Sequence, residues 1–169
     1  MNPKISHLVG LVSGDGHIEN SGRIVISTSN FEFAEIIQKI TRDFSEHINT
    51  VFDKDSNVWR IKIKSKKLLK ALKEANVSTG KKWDTVNLDF IKNLSLQNKV
   101  ALVAGWLDAE GWYEIDKGSP RIRFKVKNKK VRDQMCDLLD QIEIKARKFN
   151  RKDGSYGFNI QGKDKVVKI

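Results

Sequence analysis

Apolar and polar positions along this chain change period several times, and the order of the changes is written twice. Pro3 to Gly14 is a mostly apolar run of helical character, with Pro3 near the start, where its missing N–H costs nothing. Ile18 to Arg23 predicts a short hairpin turning at Asn20-Ser21-Gly22, followed by a strand from Arg23 to Ser29. Strand alternation puts Ile24 and Ile26 on one face and Arg23, Val25, Ser27 and Ser29 on the other. Asn30 caps a helix whose apolar positions Phe33, Ile36, Ile37, Ile40 and Phe44 recur at helical spacing. A strand from Ile48 to Phe52, a turn over Asp53-Lys54-Asp55-Ser56-Asn57 and a strand from Val58 to Lys64 come next. Ser65 then opens a helix through Leu68, Leu69 and Leu72.

The second half predicts the same elements in the same order. Leu102 to Ala109 is a helix, Trp112 to Ile115 a strand, Lys117-Gly118-Ser119-Pro120 a turn, and Arg121 to Lys127 a strand. Asn128 caps a helix through Val131, Met135, Leu138 and Leu139. Ile144 to Phe149 and Tyr156 to Gln161 are strands about the turn Arg151-Lys152-Asp153-Gly154, and Lys163 to Ile169 begins a last helix. Arg23-Ile24 matches Arg121-Ile122, Asn30 matches Asn128, and Ile63 to Lys66 matches Ile160 to Lys163. Asn76 to Gln97 stands outside the repeat, with a loop at Ser78-Thr79-Gly80-Lys81-Lys82 and a short helical turn over Leu88 to Leu94. The expected division is a first repeat over 1–76, a connector over 77–97 that offers Lys81 and Lys82 to a partner, and a second repeat over 98–169. Each half reads αββαββα, an α+β arrangement with too little core to stand alone unless the two halves pack together.

One stretch organises the repeat. Leu8-Val9-Gly10-Leu11-Val12-Ser13-Gly14-Asp15-Gly16 returns as Val103-Ala104-Gly105-Trp106-Leu107-Asp108-Ala109-Glu110-Gly111, with the acids 95 positions apart (110 − 15). Small residues four apart, Gly10 and Gly14, then Gly105 and Ala109, share one helix face and let two backbones come close. The glycine after each acid is expected in the left-handed conformation that ends many helices. Asp15 and Glu110 then sit at the negative ends of helix dipoles and, if the helices pack, beside one another. A bound cation relieves both penalties.

Composition narrows the partner. The 169 residues carry 32 Lys and Arg against 21 Asp and Glu, a net charge of +11, which points to a polyanion. A hydrophobic fraction of 39% with 31% charged residues is that of a globular protein, and no apolar run approaches a membrane span. No signal-peptide pattern opens at Met1-Asn2-Pro3-Lys4, and the single Cys136 reads as a small buried side chain, so an intracellular setting is expected. Arg121, Arg123, Lys125 and Lys127 alternate with Ile122, Phe124 and Val126, and Arg60, Lys62 and Lys64 alternate with Ile61 and Ile63. No acid stands within either run, so two uncompensated cationic strand faces are expected. With Ser27, Ser29, Asn159 and Gln161 they suit phosphate contact and base-edge readout. Trp59, Phe124, Tyr156 and Phe158 fall at core-side strand positions rather than in a base-stacking pattern, whereas Trp83 and Trp112 stay unassigned. His7, His17 and His47 lack metal-ligand spacing.

The paired motifs and the segments after them resemble the LAGLIDADG homing endonucleases, in the single-chain form that carries two motif copies. Ser13 stands where the family name has its first Asp. The resemblance implies two pseudo-twofold halves packed through the motif helices, with curved antiparallel sheets forming a saddle over double-stranded DNA. It implies a monomer that makes a staggered double-strand break with 3′ overhangs in a long asymmetric site. It assigns Asp15 and Glu110 as catalytic metal ligands, helped by the carbonyls of Gly14 and Ala109, and Lys66 and Lys163 as the basic pair beside the attacking water. The implied ion is Mg²⁺ or Mn²⁺, with Ca²⁺ binding without supporting cleavage. DNA contacts are expected from Arg23, Val25, Ser27, Ser29, Arg60, Lys62, Lys64, Arg121, Arg123, Lys125, Lys127, Asn159 and Gln161. Relatives place Gln or a basic residue near Thr28 and its counterpart Val126; Val126 departs from that pattern. The alternative within the same fold is an RNA-binding maturase acting on its host intron.

Overall fold

Asn2 fixes the start of the first helix: its side-chain oxygen accepts the Ile5 N–H at 2.9 Å, and Pro3 follows in the first turn. In the computed structural model, which describes residues 1–77 and 86–161, helix α1 (Pro3–Gly14) leads into β1 (His17–Ile18) and β2 (Ile24–Thr28). Then come α2 (Phe31–Thr41), β3 (His47–Asp53), β4 (Val58–Lys64) and α3 (Lys66–Glu74). A short 3-10 helix (Asp89–Asn93) precedes α4 (Leu96–Glu110), β5 (Gly111–Asp116), β6 (Ser119–Val126), α5 (Lys129–Gln141), β7 (Arg147–Asn150) and β8 (Tyr156–Gln161). The loop at Ser78 to Lys82, Trp83, and the helix expected from Lys163 to Ile169 lie outside the described residues.

The caps are those the polar positions forecast. Asn30 accepts from the Phe33 N–H at 3.0 Å, Ser65 from Leu68 at 3.2 Å, and Asn128 from Lys130 at 2.9 Å. Ser95 accepts from Asn98 at 3.4 Å, so the second motif helix begins at Leu96, six residues before the apolar run that predicted it. A second difference lies after α5. Glu143 takes φ +62°, and the Ile144 N–H returns to the Leu139 carbonyl at 2.8 Å, which closes the helix end. Ile144 is therefore spent on the helix stop and buried there, and β7 starts only at Arg147.

Each half forms one four-stranded antiparallel sheet, in orders β1-β2-β4-β3 and β5-β6-β8-β7. The registers agree residue for residue. Ile24 faces Ile63 and Ile26 faces Ile61 in the first sheet; Ile122 faces Ile160 and Phe124 faces Phe158 in the second. These residues form one apolar layer with Leu8, Leu11 and Val12 of α1 and Leu102, Val103 and Trp106 of α4, so both halves share a continuous core. Phe124 and Phe158 stack with centroids 4.4 Å apart. No helix among the described residues is long and apolar enough to cross a membrane.

The left-handed glycines expected after the motif acids are not found. The positive-φ glycines are Gly22, Gly118 and Gly154, all in hairpin turns, while Gly111 is extended at φ −83°, ψ 140°. Each motif helix runs straight into an edge strand, so the chain has no need to reverse there. Glycine is required for space instead: a Cβ on Gly16 would lie 2.7 Å from Val12 Cα, and one on Gly111 would lie 2.7 Å from the Leu107 carbonyl oxygen.

Candidate active site and nucleic-acid interface

The site begins with the crossing of α1 and α4. A Cβ on Gly10 would run into the Leu102 carbonyl oxygen and lie 2.8 Å from Trp106 N; one on Gly105 would run into the His7 carbonyl. Both obstacles are backbone, so only glycine fits at either position. Further along, a Cβ on Gly14 would meet Ala109 Cβ and lie 3.1 Å from Glu110 Cγ. The C-terminal ends of the two helices therefore converge, and each ends on an acid: Asp15 exposed, Glu110 half-buried. At the position just before the second small residue, Ser13 is buried, while its counterpart Asp108 reaches across to His7 Nε2 at 2.7 Å.

Two carboxylates at convergent helix C-termini concentrate negative potential, since the last carbonyls of each helix add their own partial negative charge there. That donor set is all oxygen. Among the described residues no three or more His, Cys, Asp or Glu are grouped so as to hold a metal ion, so these residues do not form a closed cage. Few carboxylates, neighbouring carbonyls and open positions fit a hard divalent cation that keeps waters and takes its remaining ligands from a phosphate. Cys136 offers no rival chemistry: burial pushes its thiol up to about 11.

The acids also sit at one margin of each sheet, because Asp15 and Glu110 each precede an edge strand by one or two residues. Paired residues on neighbouring strands share a face. In the first sheet the face turned from the core carries His17, Val25, Ser27, Arg60, Lys62, Lys64 and Asn49. Val25 shares that face but is only 2% exposed, covered by its neighbours. Arg23 lies 3.9 Å from Glu19, and Arg60 is paired with Asp53. Lys62 and Lys64 have no ion-pair partner among the described residues. Ser29 is exposed just past the end of β2.

The same face of the second sheet carries Trp112, Glu114 and Asp116 from β5, Arg121, Arg123 and Lys125 from β6, Asn159 and Gln161 from β8, and Arg147 from β7. Here the expectation of uncompensated cations is corrected. Arg121 binds Glu114 at 3.2 Å and also Asp116; Arg123 binds Glu114 at 3.2 Å; Lys125 binds Asp153 at 3.0 Å. The acids come from neighbouring strands and a turn, so alternation within one strand could not reveal them. Hydrogen bonds from Ser155, with Lys125 beside it, hold the Asp153 carboxyl well below its ordinary value. Lys127 is exposed just beyond β6, and Gln161 is exposed at the end of β8.

Lys66 stands exposed at the first turn of α3, its N–H 3.4 Å from Glu46 Oε1. Its counterpart Lys163, like Lys81 and Lys82, lies outside the described residues. Glu19 and Glu114 are polar residues of these faces that pattern reading passed over. Each is the fourth residue after its motif acid and lies opposite an arginine, Arg23 or Arg121, a correspondence present in the sequence once the repeats are aligned.

Residues 97–169 match the LAGLIDADG-like domain family. Among solved structures, I-DmoI in complex with DNA and Mn is similar at a TM-score of 0.64 and 20% identity, over 94% of this chain and 89% of that one. Mesophilic variants of the homing endonuclease I-DmoI give 0.66 at 20% identity, over 98% and 92%. The N-terminal LAGLIDADG domain of DUF199/WhiA gives 0.66 at 13% identity, over 98% and 78%. At these identities the likeness establishes the fold. A search of curated proteins finds no match.

Proposed function

From the match of residues 97–169 to the LAGLIDADG-like domain family and the likeness of 98% of the chain to that fold, we propose that it is a site-specific DNA endonuclease. The observation that carries the reading is the convergence of two acid-ended helices, Gly14 against Ala109 and Glu110, beside two sheets with cationic outer faces. I-DmoI, whose fold this chain shares, was solved with DNA and Mn.

Asp15 and Glu110, with the carbonyls of Gly14 and Ala109, would hold Mg²⁺ or Mn²⁺, which when bound supplies charge neutralisation on phosphate and a more acidic water. Ca²⁺ would occupy the same oxygens without supporting the reaction. With one carboxylate at the end of each crossing helix, one phosphate of each strand would be met by one acid. Lys66, and Lys163 by its matching place in the second repeat, would supply the basic pair that polarises water or stabilises developing charge. Lys62, Lys64 and Lys127 bear on phosphates, while Ser27, Ser29, Asn159, Gln161 and the acid-paired Arg23, Arg60, Arg121 and Arg123 read base edges. Each outer strand face of roughly eight residues spans about 26 Å, on the order of eight base pairs at about 3.4 Å each. Because the two faces differ in sequence, the combined site is long and asymmetric. One chain supplies both halves, so it acts as a monomer, and its setting is wherever duplex DNA is reached.

Incubating the protein with a randomised duplex library, with Mg²⁺ or with chelator, and sequencing the cut ends tests the reading. The expected result is one recurrent sequence, cut on both strands with 3′ overhangs, and no cutting in chelator. Intact DNA throughout, with tight binding to a structured intron RNA, would replace the nuclease by the maturase.

A further inference from the structure

The outer face of β5 and β6 is built unlike a phosphate-binding surface. Glu114 accepts from Arg121 Nη1 at 3.2 Å, from Arg123 Nη1 at 3.4 Å, and from Trp112 Nε1 at 3.4 Å. Asp116 takes the other terminal nitrogen of Arg121. The Arg123 guanidinium also lies 5.8 Å from the Trp112 ring centroid and 5.6 Å from that of Phe149. The side chains of Arg121 and Glu114 are 14% and 29% exposed, so this is a packed cluster rather than a mobile surface pair. Two arginines and two acids sum to zero charge. A neutral cluster gains little from a phosphate, whose binding rests on release of counterions by net cations. What it does offer is guanidinium donors held in place, the arrangement that reads the O6 and N7 of guanine in the major groove.

The pair recurs. Glu19 lies opposite Arg23 as Glu114 lies opposite Arg121, each four residues after its motif acid. In the first half the pair is looser, at 3.9 Å, and Val25 stands where the second half has Arg123. One Glu–Arg pair is thus common to both halves, and the second half has added another arginine to the same carboxylate.

We propose that Glu114 is a positioning residue for sequence readout: it holds Arg121 and Arg123 away from phosphates and presents Arg123 to a guanine edge in one half-site. This rests on the DNA endonuclease reading above. Without the carboxylate, Arg123 becomes a free cation that swings to the nearest phosphate. Glu114→Gln should therefore bind random duplex more tightly, with a salt slope steeper by about one unit. It should at the same time lose selectivity at the base pairs that Arg123 reads, by about tenfold or more.

The experiment selects bound duplexes from a randomised pool with the wild type, Glu114→Gln and Arg123→Ala, and measures salt dependence for each; circular dichroism confirms folding. The expected result is a preference lost at the same two or three adjacent base pairs in both variants, with opposite changes in salt slope. A Glu114→Gln profile equal to the wild type, or losses at different base pairs from Arg123→Ala, would overturn the proposal while leaving the nuclease reading intact. Failure of the wild type to select any sequence would overturn both. Glu114→Asp, which keeps the charge, should restore most of the selectivity; a merely structural disturbance would not be rescued in that position-specific way.

Discussion

The two halves share topology and register yet carry different chemistry on their outer faces. Ile24 and Ile122, Ile26 and Phe124, and Ile63 and Ile160 are interchangeable in role because both sheets must seal the same core. On the opposite faces Lys62 and Lys64 stand without ion-pair partners among the described residues, while Arg121, Arg123 and Lys125 are each matched to an acid. The core is constrained by packing and repeats faithfully; the outer faces are constrained only by what they bind. In a DNA-cutting protein the first half would then lean more on free charge, and the second more on donors held by acids.

The largest expected effect removes the comparison altogether. Gly105→Leu places a branched side chain where even a Cβ would strike the His7 carbonyl, and Gly10→Leu does the same against Leu102. Backbone cannot yield as a side chain can, so each should destabilise by about 3 kcal/mol or more. Thermal denaturation followed by circular dichroism checks this; melting temperatures equal to wild type would mean the helices do not cross there.

A sharper test compares one lysine from each face. Lys62→Ala should weaken DNA binding evenly across sequences and lower the salt slope by about one unit. Lys125→Ala should cost less, because Lys125 must first leave Asp153 at 3.0 Å. Affinity titrations at several salt concentrations separate the two, and equal losses would erase the distinction between the faces.

The smallest effect is on acid stability. Asp153 has its folded value lowered, chiefly by the Ser155 hydroxyl, so its contribution is present above the unfolded value of 3.8 and is lost as pH falls through the lower folded value. Asp53, held down by Ser56, gives the first half a counterpart with the same sign. Asp153→Asn should therefore lose less melting temperature than the wild type between about pH 5 and about pH 2. A steeper acid loss in the variant would reverse the assignment.

How far the sequence could be read follows from the same contrast. Caps at Asn30, Ser65 and Asn128, the hairpins and the paired motif helices were legible because they depend on local polar chemistry and on the spacing of small residues. Gly16 and Gly111 predict a left-handed helix stop in sequence, whereas the obstacle that requires glycine is the preceding helical turn's own atoms, visible only in three dimensions. The compensation of Arg121, Arg123 and Lys125 was hidden because their acids lie on β5 and in the β7–β8 turn. Ile144 looked like a strand residue because its burial and its helix-closing bond leave the same apolar mark.

The convergent ends of α1 and α4 are the proposed cutting centre, distinct from the faces proposed to bind. Asp15→Asn combined with Glu110→Gln keeps shape and removes both anionic groups. Strand cleavage of the selected duplex, measured with Mg²⁺ under single-turnover conditions, should fall by a factor on the order of a hundred or more, from several kcal/mol of lost charge stabilisation. Binding of the same duplex should be kept or tightened, and melting temperature in chelator should hold or rise, because an anion at a helix C-terminus was unfavourable from the start. Cleavage by the doubly substituted protein at the wild-type rate would contradict the claim, whatever the binding showed.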